Sequence, residues 1–65
     1  MARWSKIRKG KNGELWQKGK GEFLKIGWGI INYVNVYNEE GLIYENEFDS
    51  KEKAKKFAED YRRKN

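Results

Sequence analysis

The chain has 65 residues, with 15 Lys and Arg against 10 Asp and Glu, and no His, Cys or Pro. That length makes one small domain of marginal stability, whose core must lean on the three Trp, four Tyr and three Phe. Without Cys there is neither disulfide nor thiolate metal site. Without His the usual general base, the commonest zinc ligand and any Ser/His or Cys/His nucleophile pair are excluded, so a non-enzymatic protein with no catalytic residue, cofactor or metal is expected.

The charge is unevenly placed. Residues 1–25 carry +6, residues 26–50 carry −5 with no Lys or Arg, and residues 51–65 carry +4, for a total of +5. A basic–acidic–basic chain speaks to partners and not to fold. No apolar run approaches the roughly 18–20 residues that span a bilayer, and no apolar stretch follows the basic start as in a signal peptide. No membrane partner is expected, and a cytoplasmic location is.

In chain order, residues 1–9 hold Trp4 and Ile7 off a strict period of 2, so they read as either a strand or a basic arm with one aromatic anchor. Asn12-Gly13 is a strong hairpin signal, because both central positions of a type I′ turn need positive φ. A second glycine turn, Gly19-Lys20-Gly21, repeats the basic character of the first. The stretch from Trp28 to Tyr37 is rich in β-branched and aromatic residues and reads as the best strand. Trp28, Ile30, Val34 and Val36 are expected on one face, and Ile31, Tyr33 and Tyr37 on the other, as an aromatic surface. Gly27 and Gly29 mark a bend or bulge beside Trp28. Asn38-Glu39-Glu40-Gly41 is a turn, and Leu42 to Phe48 returns as the partner strand with Leu42, Tyr44 and Phe48 on its apolar side.

The tail is the clearest element. Ala54, Phe57, Ala58 and Tyr61 fall at i, i+3, i+4 and i+7, one helical stripe. Asp49 or Ser50 caps its start, Glu52 lies in the first turn, and Arg62, Arg63 and Lys64 lie at the negative end of the dipole. The expected fold is α+β: a small antiparallel β-meander of three or more strands with one C-terminal helix packed on the sheet. The single domain, 1–65, comprises a basic glycine-turn segment (1–25), a central hairpin (26–48) and a helix (50–63). Its expected core is Trp28, Ile30, Val34, Val36, Leu42, Tyr44 and Phe48 against Ala54, Phe57, Ala58 and Tyr61.

Two functional readings follow. In the first, a small nucleic-acid-binding or regulatory protein neutralises phosphates of DNA or RNA with Arg3, Lys6, Arg8, Lys9, Lys11, Lys18 and Lys20. Trp4 and Trp16 serve it as stacking or packing anchors. No P-loop or dinucleotide spacing accompanies these residues. In the second, Tyr33, Tyr37, Glu39, Glu45 and Glu47 meet a host or partner protein, as a phage-encoded inhibitor would, because aromatics mixed with charge are typical of interface centres. An exposed edge strand would also allow a homodimer.

Trp28 and the run Phe48-Asp49-Ser50-Lys51-Glu52-Lys53-Ala54 resemble three-strand-plus-helix DNA-binding modules, the plant ethylene-response-factor domain and the arm-binding domain of tyrosine recombinases. The resemblance covers roughly the last 38 residues and implies a sheet ending in Phe, a Ser cap and a packed helix. Those families read DNA with Arg and aromatics on the sheet. Residues 26–50 carry no Arg or Lys, so DNA contacts would come from the N-terminal turns and the helix.

Overall fold

A computed structural model describes residues 3–65. Five strands, β1 (Trp4–Gly10), β2 (Gly13–Lys18), β3 (Glu22–Gly27), β4 (Asn32–Asn38) and β5 (Gly41–Phe48), are followed by helix α1 (Lys51–Lys64). The sheet order is β1-β2-β3-β4-β5 with every neighbour antiparallel, so the fold is an α+β meander with its helix on one face. The basic start is a strand rather than a loose arm.

Each turn is set by local chemistry. The first does not place Asn12-Gly13 at its centre. Gly10 pairs with Gly13, leaving Lys11-Asn12 as the central pair, and no residue other than glycine has positive φ among those described. A type I′ turn is therefore absent. Gly13 is required for a different reason: a Cβ there would lie 2.5 Å from the Ile26 carbonyl oxygen on β3. The β4–β5 turn forms as read, with Asn38 pairing Gly41, Gly41 at φ +119° and Asn38 Oδ1 accepting from Glu40 N at 2.8 Å.

The registers stack side chains into rows across the sheet, and five of these rows cross all of β1–β5, two on the helix side and three on the helix-free side. Lys6, Trp16, Leu24, Val36 and Tyr44 form one row on the helix side; Lys9, Glu14, Ile26, Val34 and Asn46 form the next. The opposite side carries Ser5, Gln17, Phe23, Tyr37 and Leu42, then Arg8, Leu15, Lys25, Asn35 and Glu45, then Gly10, Gly13, Gly27, Tyr33 and Glu47.

The core is Leu24, Ile26, Val34, Val36, Ala54 and Ala58, with Trp4, Trp16, Trp28, Tyr44, Phe48, Phe57 and Tyr61 packed around it. This corrects the expected core in three places. The strand does not begin at Trp28 but at Asn32; Gly29, at φ +121°, turns the chain so that Ile30 is fully exposed at 102%. Leu42 is also excluded, 52% exposed, because the register shifts between Val36 and Tyr37. Val36 pairs Tyr44 while Tyr37 pairs Leu42, which moves Leu42 to the far face. Their places are taken by Leu24 and Ile26 on β3, a strand outside the expected core. Its six residues alternate Leu24 and Ile26 inward with Phe23 and Lys25 outward.

The helix is capped by Ser50, whose Oγ accepts from Lys53 N at 3.2 Å, and closed by Asn65 N donating to Tyr61 O at 3.0 Å. Ala54 and Ala58 are fully buried, so the helix backbone lies close over β3, β4 and β5. Phe57 stacks on Tyr44 at 4.9 Å between centroids and meets Phe48 at 5.4 Å.

Candidate nucleic-acid interface

One helix, about 10 Å across, cannot cover five strands spaced about 4.8 Å apart. The flank left over, between α1 and β1–β2, is filled by all three tryptophans, and cations lie over two of them. Lys51 Nζ is 4.4 Å and Lys55 Nζ 5.6 Å from the Trp28 ring centroid. Arg62 lies 3.7 Å over Trp16, with Lys6 Nζ at 5.3 Å from the same ring. Trp4 meets Tyr61 edge-on at 6.2 Å. Trp28 is fixed from below, its backbone N donating to Asn12 O at 2.9 Å and its Nε1 to Lys11 O at 3.0 Å.

Glu14 ties this flank together. It accepts from Trp16 Nε1 at 3.1 Å and pairs with Lys6 at 3.5 Å. Burial works to raise its pKa, but the Trp16 hydrogen bond and the Lys6 and Lys55 charges prevail and hold it below the ordinary carboxylate value. Burial lowers the Arg62 pKa, against the pull of Glu14 and Glu59. Burial, helped by the Glu22 charge, raises that of Tyr61.

At the C-terminal end of the helix, Arg3, Trp4, Lys18, Arg62, Arg63, Lys64 and Asn65 line an open hollow of about 560 Å³. No acidic side chain lines it, although Arg63 also bonds Glu59 at 2.7 Å and approaches Asp60 at 3.8 Å. The indole Nε1 of Trp4 is buried and has no hydrogen-bond partner.

The structure divides the residues that the sequence groups as phosphate contacts. Arg3, Trp4, Lys6, Trp16 and Lys18 gather on the helix side, joined by Arg62, Arg63 and Lys64. Arg8 is on the opposite face. Lys9 and Lys11 lie beside the β1–β2 turn, whereas Lys20 sits in the β2–β3 turn near Glu22, Glu39 and Glu40. Successive turns of a meander fall at opposite ends of the shared strand, here about 20 Å apart along β2, so the two glycine turns do not make one cationic surface. Nor is Trp16 free to stack on a base: its flanks are taken by Arg62 and Lys6. The helix cations belong to this surface, and their signal in the sequence was the +4 tail.

Of the residues read as protein contacts, Tyr33, Tyr37, Glu45 and Glu47 do share the helix-free face. Glu39 lies apart in the β4–β5 turn, its side chain against Gly21. Among the described residues no group of three or more acidic or metal-ligating side chains is placed to hold a metal ion, and no helix is long and apolar enough to cross a membrane. Compared with protein-family models, curated proteins and solved structures, the chain matches none.

Proposed function

We propose that the protein is a non-enzymatic nucleic-acid-binding protein that holds backbone phosphates on the helix side of its sheet. The observation that carries this reading is the hollow in which Arg3, just before the first strand, and Lys18, at the end of the second, meet Arg62, Arg63 and Lys64 from the helix, with no acidic side chain in its lining. Two basic segments far apart in sequence converge there, while Glu45 and Glu47 point away on the other face. Clustered cations release condensed counterions when they meet a phosphate backbone, which drives binding without base contacts. The binding is of the backbone type, because Trp4 and Trp16 are committed to packing.

The test is a fluorescence anisotropy titration of labelled duplex DNA across a salt series. With roughly three to five phosphates neutralised, the affinity should fall with a log–log slope between about −2.7 and about −4.5. Arg63→Glu with Lys64→Glu should abolish binding at moderate salt, while Lys9→Glu with Lys11→Glu, at the far end of the sheet, should leave most of it. No binding to duplex at low ionic strength would refute the reading.

A further inference from the structure

The helix-free face is a separate surface with a composition of its own. Its two central strands, β3 and β4, present Phe23 and Tyr37 as a directly paired couple, and Tyr33 two rows further along. All three residues are half-buried. The Tyr33 ring lies over Gly27: a Cβ on Gly27 would collide with its Cε1, Cζ and Oη. The missing side chain thus lets this ring rest on the sheet instead of standing away from it. Between the two aromatic rows, each about 7 Å away along the strands, runs the row that holds Arg8, Leu15 and Lys25. Arg8 and Lys25 are both exposed, two strands apart and so about 10 Å from each other. Asn35 continues that row, its Nδ2 donating to Tyr37 Oη at 3.4 Å.

The position of Lys25 decides the kind of partner. It stands on the middle strand of the five. The centre of a protein–protein interface is depleted in Lys, because burying the ammonium there is costly. A second copy stacked face to face about a two-fold axis along the strands would pair Arg8 with the other copy's Glu45. The same axis would bring the two Lys25 side chains together at the centre. A phosphate, by contrast, is what a cation between aromatic rings is placed to meet. Partly exposed rings on central strands with cations between them accept unstacked bases, since every base has a π-face to stack. Glu45 and Glu47 on the edge strand β5 repel phosphates and confine a bound strand to the β1–β4 part of the face.

We infer that this face is a second site, which takes single-stranded nucleic acid by stacking bases on Phe23, Tyr33 and Tyr37 and holding the intervening phosphates on Arg8 and Lys25. It stands on different residues from the helix-side hollow and does not depend on it.

The experiment measures anisotropy of labelled oligothymidylate and oligouridylate, with a duplex of equal length in parallel, against the wild type and four variants. Tyr33→Ala should weaken single-strand binding roughly ten-fold. Tyr33→Phe, which keeps the ring, should bind as the wild type does, and circular dichroism melts check that Tyr33→Ala is folded. Lys25→Glu, at an exposed position, should weaken single-strand binding and flatten its salt slope by about 1. Duplex binding should respond to Arg63→Glu with Lys64→Glu and not to the Tyr33 or Lys25 changes. The two oligomers distinguish a DNA from an RNA preference. The proposal is overturned if single strands do not bind the wild type, or if folded Tyr33→Ala and Lys25→Glu bind them unchanged. It is equally overturned if sedimentation shows a dimer that Lys25→Glu strengthens, because the face would then belong to a second copy.

Discussion

The two faces of this sheet are made by the same strands and differ in almost everything else. On the covered face, Leu24, Ile26, Val34 and Val36 meet Ala54 and Ala58 with essentially no exposure. On the open face the interleaved residues are Phe23, Lys25, Tyr33, Asn35 and Tyr37, half-buried or exposed. Strand periodicity hands every second residue to each side; what decides which side takes the helix is size. Aliphatic side chains opposite alanines let a helix settle close, whereas a floor of flat rings would hold it off. The aromatic area of the chain is therefore used in two ways. The tryptophans fill the flank that a single helix cannot reach, and two of the tyrosines stay on the face that nothing covers.

The largest effect should come from breaking the covered face. Leu24→Ala removes a fully buried side chain from the middle strand and should cost about 2–5 kcal/mol, comparable with the whole stability of a domain this small. Chemical denaturation should show a transition shifted to far lower denaturant, or an unfolded chain. Next comes a backbone contact between the two hairpins. Gly13→Ala would put a methyl 2.5 Å from the Ile26 carbonyl oxygen, so the β2–β3 ladder must shift. A loss of about 1–3 kcal/mol is expected in the same assay.

Glu14→Gln should have a smaller, pH-dependent effect. The folded-state pKa of Glu14 lies below its ordinary value of 4.5. The stability it contributes is present above that value and is lost as the pH falls through the lower, folded-state value. Thermal melts of the wild type should therefore weaken in acid over that window, and the variant should lose part of that dependence. At neutral pH the substitution should cost about 1 kcal/mol, the worth of a hydrogen bond and a partly shielded ion pair. The smallest effect belongs to Ile30→Ser. The side chain is fully exposed, so its melting temperature should match the wild type, with a change within about 0.5 kcal/mol. A large loss there would contradict the assignment of residues 29–31 to a loop outside the core.

The sequence was readable at most places where a local rule acted, the Asn12-Gly13 turn being the exception, since the Gly10–Gly13 pair moves its centre to Lys11-Asn12. Ser50, the Ala54–Tyr61 stripe and the Asn38–Gly41 turn obey capping, period and turn chemistry, and each stands where those rules put it. The misreadings came from long-range causes. Ile30 has strand chemistry but sits behind Gly29, whose positive φ turns the chain out of the sheet. Leu42 lost its face to a one-residue shift opposite Val36, and nothing local to Leu42 announces it. Leu24 and Ile26 were masked by Lys25 between them, an exposed cation on a central strand. The candidate site was legible as charge and not as a surface. The excess of Lys and Arg at both termini is plain in the sequence, but in a meander the two glycine turns separate, and only pairing shows that Arg3 and Lys18 join the end of the helix.

The proposed function rests on the convergence of those two basic segments on one cationic surface. The most direct test is a ¹H–¹⁵N amide shift map recorded while a short DNA duplex is added to the wild-type protein. The account predicts that the changes concentrate at Arg3, Lys18 and Arg62 to Lys64, with Lys9 to Asn12 nearly still. Shifts centred on the β1–β2 turn, or none at all, would contradict it.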